Sequence, residues 1–446
     1  MTSPGAPFAP SRGYANWVLF VLLLAYILNF VDRQVLAIVA LEVKAEMGLS
    51  DTQLGLLLGP YFALSFTLAG FVIARIADVS SRRTVLALGL AAWSLLTAAC
   101  GLAQGFAQLA VLRFSVAVGE AAGTPPSHSM LSDYFPPARR ATALAIYGLG
   151  IYVGTGFGFA GGGLLLEWFD WRTAFFAAGL AGVPVVLLIA FSVREPPRGA
   201  LEGARAAPGG GALGAAPPLA RVLPDLFATR AFRWLMAAAA CQAFLGYAVL
   251  SWGATFLRRV FAMSAGEAGV AFGGIAALSG GIGVLGGGAL ADRLARRDAR
   301  WYAWLSAAVS LAAFPFGAAF VLAPDRETAL LAFGVFYLLN NVYVASLWTL
   351  VQGLVAPGLR ATSSAMQLAV TNLVGYGVGP ALVGFMNDAL APRFGDGGIR
   401  WSLLGATVVG AASALFFWQC GRTLREDLAR GQDGAGRGRG LTSQIT

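Results

Sequence analysis

The chain has 446 residues, of which 57% are hydrophobic and only 12% charged, against ~25% charged in a soluble domain. That balance excludes a soluble globular enzyme. The net charge of +9 reads as arginine gathered in loops beside a membrane, so no nucleic-acid partner is expected.

Apolar stretches of about 20 residues number twelve. The first six run approximately Trp17–Ala40, Thr52–Ala77, Thr84–Ala103, Phe106–Met130, Arg140–Leu166 and Arg172–Val193. The second six run approximately Ala231–Leu257, Ala265–Leu290, Trp301–Leu322, Thr328–Val351, Arg360–Asn387 and Ile399–Gln419. The fold class is therefore all-α integral membrane, with twelve transmembrane helices in two pseudo-symmetric six-helix bundles. The expected boundaries are an N-terminal bundle at 1–193, a linker at 194–230 with a short surface helix near Leu219–Phe227, a C-terminal bundle at 231–421, and a disordered Gly-rich tail at 422–446. The N-terminus is short and polar and its first apolar run is too long for a signal peptide, so no cleavable leader is expected. Cys100, Cys241 and Cys420 each lie in an apolar run, which suits small core residues rather than disulfides or metal ligands.

In the first span an aspartate and an arginine stand side by side within Leu28–Arg33 (LNFVDR). Burying one such charge costs several kcal/mol unless it is paired or solvated, so Asp32 and Arg33 are functional candidates. The fourth span adds Arg113 and Glu120. Their seven-residue separation puts them on one helix face, about 10.5 Å apart along the axis, too far for a tight pair. By rise per residue, Asp32 lies roughly 14 Å below the outer end of its span, Arg113 roughly 10 Å and Glu120 roughly 21 Å. Asp32 is thus expected beside Arg113, with Glu120 deeper and less compensated, and Arg33 reaching Glu120 or an anionic substrate. Desolvation disfavours a carboxylate's charge and a nearby arginine favours it. A carboxylate whose partner changes with conformation can take up a proton on one side and release it on the other. Asp32 and Glu120 are the expected proton-coupling groups, and Arg33 and Arg113 the counter-ions or headgroup anchors, since the planar fork of arginine suits phosphate.

Charged loops recur. Met47–Arg83 aligns without gaps to Phe261–Arg297, placing Ser50 on Ser264, Asp78 on Asp292 and Arg82-Arg83 on Arg296-Arg297. Arg140-Ala141-Thr142 repeats as Arg360-Ala361-Thr362. Two related halves of six spans form a transporter pattern, with the substrate site near the midplane. Asp78, Arg82, Arg83, Asp292, Arg293, Arg296 and Arg297 are candidates for a conformational latch, because arginines bridge carboxylates and a carboxylate is favoured at a helix N-terminus. Most arginines, including Arg139, Arg140 and Arg300, fall on one side if both termini are cytoplasmic. The scarcity of Lys beside abundant Ala, Gly and Arg points to a GC-rich bacterial genome, and for a membrane protein from such a source the expected location is the bacterial inner membrane.

The loop pattern G-x-x-x-D-R/K-x-x-R/K-R/K, intact at Gly288–Arg297 and altered at Ala74 and Val79 in the first half, resembles the major facilitator superfamily. More narrowly, LNFVDR at Leu28–Arg33, RFSVAVGEAAG at Arg113–Gly123 and VREPPRG at Val193–Gly199 resemble the spinster family of sphingolipid and lysophospholipid transporters. The resemblance implies alternating access and an amphipathic, lipid-like substrate. The alternatives are a proton-independent facilitator or a generic drug or metabolite exporter.

The second half is nearly free of charge inside its spans but offers Gln242, Tyr247, Trp252, Asn340, Asn341, Tyr343, Trp348, Gln367 and Asn372. With Tyr26, Asn29 and Tyr147 of the first half, Gln242, Tyr247, Asn340, Asn341, Trp348 and Asn372 are the expected cavity residues. Gly156–Gly161 and Gly281–Gly286 match G-x-G-x-x-G, but neither follows a strand, so helix packing explains them. Gly375, Gly377 and Gly379 before Pro380 predict a bend in the eleventh span. His128, the single histidine, cannot make a multi-histidine metal site; neither a metal nor a cofactor is expected. A membrane-embedded lipid-modifying enzyme would need a nucleophile and base, and no H-E-x-x-H or G-x-S-x-G occurs. The expected partners are membrane lipids, a small amphipathic substrate and protons, and the expected state is a monomer.

Overall fold

The computed structural model describes residues 10–199, 201, 224, 226–355 and 359–441, the side chains of 360–361 and 428–441 excepted. Among these the chain is helical, with no strand. Among the described residues eleven helical stretches, some of them interrupted, are long and apolar enough to cross a membrane. The last, Thr362–Asp427, has 66 residues, about 100 Å if straight and far more than one ~30 Å crossing. It reverses at Gly395, whose φ of +54° favours glycine, and so supplies two spans, making twelve.

The first half comprises α1 (Arg12–Ile38), α2 (Ala40–Met47), α3 (Asp51–Leu58), α4 (Pro60–Val79), α5 (Arg82–Cys100), α6 (Phe106–Glu120), α7 (Thr124–Tyr134), α8 (Pro137–Gly148), α9 (Gly150–Trp168), α10 (Trp171–Leu180) and α11 (Gly182–Ser192). The second comprises α12 (Arg230–Phe261), α13 (Ala265–Ala295), α14 (Trp301–Leu322), α15 (Arg326–Asn341), α16 (Tyr343–Gly353), α17 (Arg360–Val370), a π-helical segment (Thr371–Val378), α18 (Gly379–Phe394) and α19 (Gly398–Leu441).

Several spans are interrupted where their sequence requires it. The fourth span does not run through: α6 stops at Glu120 and α7 restarts at Thr124 with proline in its first turn. Pro125 and Pro126 lack the N–H that a helix interior needs, so they are tolerated only in the first turn of a new helix. This break falls directly after Glu120. In the eleventh span the bend predicted at the glycines takes the form of the π-helical segment, which ends just before Pro380 near the start of α18. π-Turns of this kind concentrate at functional sites.

The chain divides into two compact units, Met1–Gly214 with Met263–Gly274, and Ala215–Ala262 with Ile275–Thr446. The first three turns of α13 therefore belong with the first unit. There, Ser264 Oγ donates to Glu167 at 2.6 Å, and a methyl added at Gly269 would lie 3.2 Å from the Gly163 Cα. In the same unit α9 lies against α1 at backbone distance: a methyl at Gly158 would sit 2.8 Å from the Gln34 Cβ. Of the glycines of the G-x-G-x-x-G match, Gly158 serves helix packing in this way, while a methyl at Gly161 would meet nothing within 4 Å. In the second unit α12 is the most enclosed span, 61% of its apolar window being buried against 33–44% elsewhere. Trp252 Nε1 on α12 donates to the Pro380 carbonyl at 2.9 Å.

The internal repeat extends to hydrogen bonds. Ser50 caps α3 with Gln53 in a reciprocal box, and Ser264 caps α13 with Glu267 at 3.0 and 3.1 Å. Arg172 donates to the Gly101 and Ala103 carbonyls at 2.9 and 2.7 Å, closing the end of α5. In the second unit Arg400 does the same for the end of α14, donating to Val321 and Ala323 at 2.6 and 2.9 Å. A cation at a helix C-terminus satisfies its last carbonyls; the sequence alignment did not contain this second match.

One expectation is corrected. The tail expected to be disordered from 422 is helical to Leu441. Each residue added to an existing helix gains one bond without a new nucleus, and Asp427 accepts the Ala231 N–H at 2.7 Å, tying this extension to the start of α12. The linker and its surface helix lie largely outside the described residues, as do 442–446.

A buried charged cluster as candidate functional site

Asp32, Arg33, Arg113 and Glu120 come together inside the first unit, with relative exposures of 2, 8, 0 and 1%. Arg33 Nε donates to Glu120 Oε2 at 2.9 Å, while Asp32 Oδ2 accepts from the Thr97 hydroxyl at 2.7 Å. The expected direct pair between Asp32 and Arg113 is not formed, and Glu120, expected to be the less compensated carboxylate, holds the ion pair. The reason is angular. Adjacent helix positions point about 100° apart, so α1 sends Arg33 towards α6 and Asp32 towards Thr97 on α5.

The two guanidinium groups are held differently. Arg33 lies over the rings of Phe30, Phe62 and Phe66 at 4.9, 4.9 and 4.8 Å. Arg113 lies over Phe62 at 5.3 Å, but its Nε, Nη1 and Nη2 are buried without a hydrogen-bond partner. Glu120 Oε1 and Asn29 Oδ1 are also buried without one. Buried polar groups are nearly always satisfied, so such a cluster calls for a physical account. Two carboxylates and two guanidiniums make it formally neutral, yet three donor nitrogens of Arg113 remain for an incoming acceptor.

The loops at the 78–83 and 292–297 repeats behave unlike a simple Asp–Arg latch. Arg82 is the hub of the first. It is bonded to Asp133 at 2.5 Å, Glu195 at 2.8 Å, Ser129 at 2.8 Å and the Pro196 carbonyl at 2.7 Å. The Arg83 N–H and Ser81 hydroxyl also donate to Glu195, at 2.8 and 3.1 Å. Burial alone would lift the Glu195 carboxyl, but these donors hold it below its usual range. Arg198 closes the strap by donating to the Ala77 and Ser80 carbonyls. Asp78 takes no ion pair among the described residues. In the second loop Asp292 accepts from the Tyr302 hydroxyl at 2.8 Å. Arg293, Arg296 and Arg297 make no ion pair among the described residues, and Asp298 holds Arg300 and Arg425 instead. An arginine with two carboxylates, a hydroxyl and a carbonyl around it satisfies its rigid fork better than one facing a single exposed aspartate. Asp133, Glu195 and Asp298 were missed as partners; Glu195 was in view within VREPPRG.

Of the expected cavity residues, Tyr147 is buried and stacks on Tyr26 at 4.3 Å and 10°, with His128 edge-on at 5.3 Å. In the second unit Gln242, Asn340 and Asn341 are buried, Tyr247 meets Tyr376 edge-on at 4.8 Å, and Trp348 and Asn372 are half-buried. Thr97, Phe62 and Phe66 went unsuspected. Thr97 shares its apolar helix with another buried hydroxyl, Ser94, so nothing singled it out, and the phenylalanines had no distinguishing signal.

Residues 22–380 match the profile of the Major Facilitator Superfamily. The chain belongs to that superfamily. This major facilitator protein is 33% identical over 427 residues to an MFS-type efflux pump of Mycolicibacterium smegmatis, covering 94% of this chain and 95% of that one. It is 28% identical over 397 residues to protein spinster homolog 1 of Xenopus laevis, covering 84% and 74% respectively. A crystal structure of a bacterial homolog of the human lysosomal transporter Spinster, inward-facing and unoccupied, superimposes with a TM-score of 0.83 at 31% identity over 94% of this chain and 99% of that one. The likeness to a D-xylose–proton symporter, TM-score 0.70 at 17% identity over 91% and 97%, concerns the fold alone. The protein is thus an integral-membrane transporter, similar to spinster proteins, and not an enzyme.

Proposed function

We propose that this transporter is a secondary active one that moves an amphipathic, lysolipid- or sphingolipid-like solute by alternating access, coupled to protons through Asp32 and Glu120. The observation that carries the reading is Arg113, fully buried with all three guanidinium nitrogens unpartnered, beside a cluster that is formally neutral. Adding one proton to either carboxylate leaves the cluster one positive charge in excess. An anionic head at Arg113 restores the balance, and two opposite charges 4 Å apart attract by about 4 kcal/mol at an effective dielectric of 20. Proton and anion therefore favour each other's binding. The three phenylalanine rings around Arg33 supply the apolar wall for a tail. The latch residues Arg82 and Arg83, strapped to Glu195, would restrain one conformation. The arginine asymmetry of its loops supports both termini in the cytoplasm, its Lys-poor, Ala-, Gly- and Arg-rich sequence supports a bacterial inner membrane, and the proposed working state is a monomer.

The test is uptake of a fluorescent lysolipid into proteoliposomes with and without an imposed pH gradient. Gradient-driven uptake is expected in the wild type and lost in Asp32→Asn and Glu120→Gln. Uptake that ignores the gradient and survives both substitutions would sink the coupling.

A further inference from the structure

We propose that the second unit binds an anionic phospholipid, its phosphate held by Arg300 and Arg425 and its chains laid over a tryptophan ledge on α14 and α19. Arg300 stands at the start of α14 and Arg425 on α19. Arg300 Nε donates to Asp298 Oδ2 at 2.9 Å, and its Nη2 lies equally close to that oxygen. Arg425 Nη2 donates to the same atom at 2.8 Å. Two guanidiniums thus converge on one carboxylate oxygen, and the trio keeps one positive charge in excess. Like charges at this range repel, and a second anion relieves the repulsion. Arg300 Nη1 and Arg425 Nε and Nη1 carry no hydrogen bond among the described residues. The two side chains are 27% and 64% exposed, so their forks are open to a phosphate, whose geometry they match. Neighbouring carboxylates leave the site free. Asp292 accepts from the Tyr302 hydroxyl, Asp427 accepts the Ala231 N–H, and Glu426, one position from Arg425, points about 100° away.

The aromatic part lies deeper on the same two helices. Arg300 stacks over the Trp304 ring at 4.3 Å, and Trp304 stacks on Trp418 of α19 at 5.7 Å and 27°. Trp301 meets Trp304 edge-on at 6.0 Å. A methyl added at Gly421 would lie 2.5 Å from the Trp304 Cδ1, so the indole rests directly on the backbone of α19. Counted along the helices, Trp304 stands about 6 Å below Arg300 and Trp418 about 10 Å below Arg425. Deeper still on the same faces, Leu311 and Leu415 are exposed. Charge, then tryptophan, then aliphatic surface is the order a phospholipid presents from phosphate to chain. Arginines and tryptophans that merely anchor a loop at the interface have no need to converge on a single carboxylate. In the proposed topology this end is cytoplasmic, where anionic lipids attract basic segments. The site goes beyond the transport reading and does not depend on the solute carried.

Thermal unfolding of the full chain in dodecyl maltoside micelles tests it, followed against phosphatidylglycerol, phosphatidylcholine of the same chains and free glycerol phosphate. Phosphatidylglycerol is expected to raise the midpoint saturably, phosphatidylcholine less, and glycerol phosphate not at all. Arg425→Gln, on an exposed side chain, weakens the apparent affinity for phosphatidylglycerol by about fivefold or more. Arg300→Gln with Arg425→Gln abolishes the saturable response, and Trp418→Ala weakens it. Arg12→Gln, which removes an exposed arginine of the first unit, keeps the wild-type response. Where the double variant does not fold, Arg425→Gln alone decides, read by native mass spectrometry as loss of the bound lipid. Wild-type affinity in Arg425→Gln overturns the site, and so does an equal loss in Arg12→Gln. An equal response to phosphatidylcholine or to glycerol phosphate overturns it as well.

Discussion

Arg33 and Arg113 are chemically identical and buried within one helix bundle, but only Arg33 has a carboxylate partner. Removing one member of a buried ion pair leaves an uncompensated charge, at a cost of about 3–5 kcal/mol. Arg33→Gln is expected to destabilise by that amount in reversible unfolding from mixed micelles. Arg33→Gln with Glu120→Gln should recover most of it, since neighbours in one network are not additive. Arg113 has no hydrogen bond to lose, but its charge balances a buried carboxylate, so Arg113→Met should destabilise less than Arg33→Gln in the same assay while abolishing lysolipid uptake. The charges themselves were legible in the sequence. Their pairing was legible only in part: Arg33 reaches Glu120, one of its two expected partners, but Asp32 does not pair with Arg113, because depth counted along two straight helices carries no information on azimuth. Which side of α1 faces α6 depends on the packing of Gly158 against Gln34 and its neighbours.

Glycine contacts govern at the scale of the element. On α10 a methyl at Gly179 would lie 2.6 Å from the Ala98 N and 2.8 Å from the Ala98 Cβ of α5. Backbone cannot yield as a flexible side chain can, so Gly179→Ala should cost about 1–3 kcal/mol. Gly70 on α4 has nothing within 4 Å of an added methyl, and Gly70→Ala should leave the unfolding midpoint unchanged. Abundant glycine announces close helix packing, but only the contacts separate these two. The strap at Glu195 makes a pH prediction. Its carboxyl lies below the usual value of 4.5 when folded. Its contribution is therefore complete above that value and is lost as pH falls through the lowered one. The difference in unfolding midpoint between wild type and Glu195→Gln should be largest near neutrality and shrink in acid. If the difference is the same at both ends of the scale, ionised Glu195 is not what holds the strap.

The proposed topology makes its own demand on the whole molecule. With the native cysteines replaced, a cysteine at Asp396 should react with a membrane-impermeant maleimide on intact cells. One at Arg297 should react only after permeabilisation. The reverse pattern would invert the topology. The repeat is itself a whole-molecule property. Its sequence alignment covered Ser50 with Ser264, and the structure extended it to the paired carbonyl caps of Arg172 and Arg400. Each arginine bonds carbonyls some seventy to eighty residues away in the chain, so no local pattern could have disclosed it.

By itself the sequence determined the class, the twelve spans and the internal repeat. Hydrophobic length is a local property, fixed by the thickness of the bilayer and by the need to satisfy backbone groups within each helix. It also determined which charges stand in the spans, because each is costly there and so stands out. The tertiary structure alone decided which of its two expected partners Arg33 takes, that Asp32 rests on Thr97 rather than on Arg113, and that Arg82 rather than Asp78 organises its loop. Those choices turn on helix rotation and on breaks such as the one after Glu120. Rotation and breaks are set by how side chains and glycines from distant segments fit together, a long-range property that no run of neighbouring residues encodes.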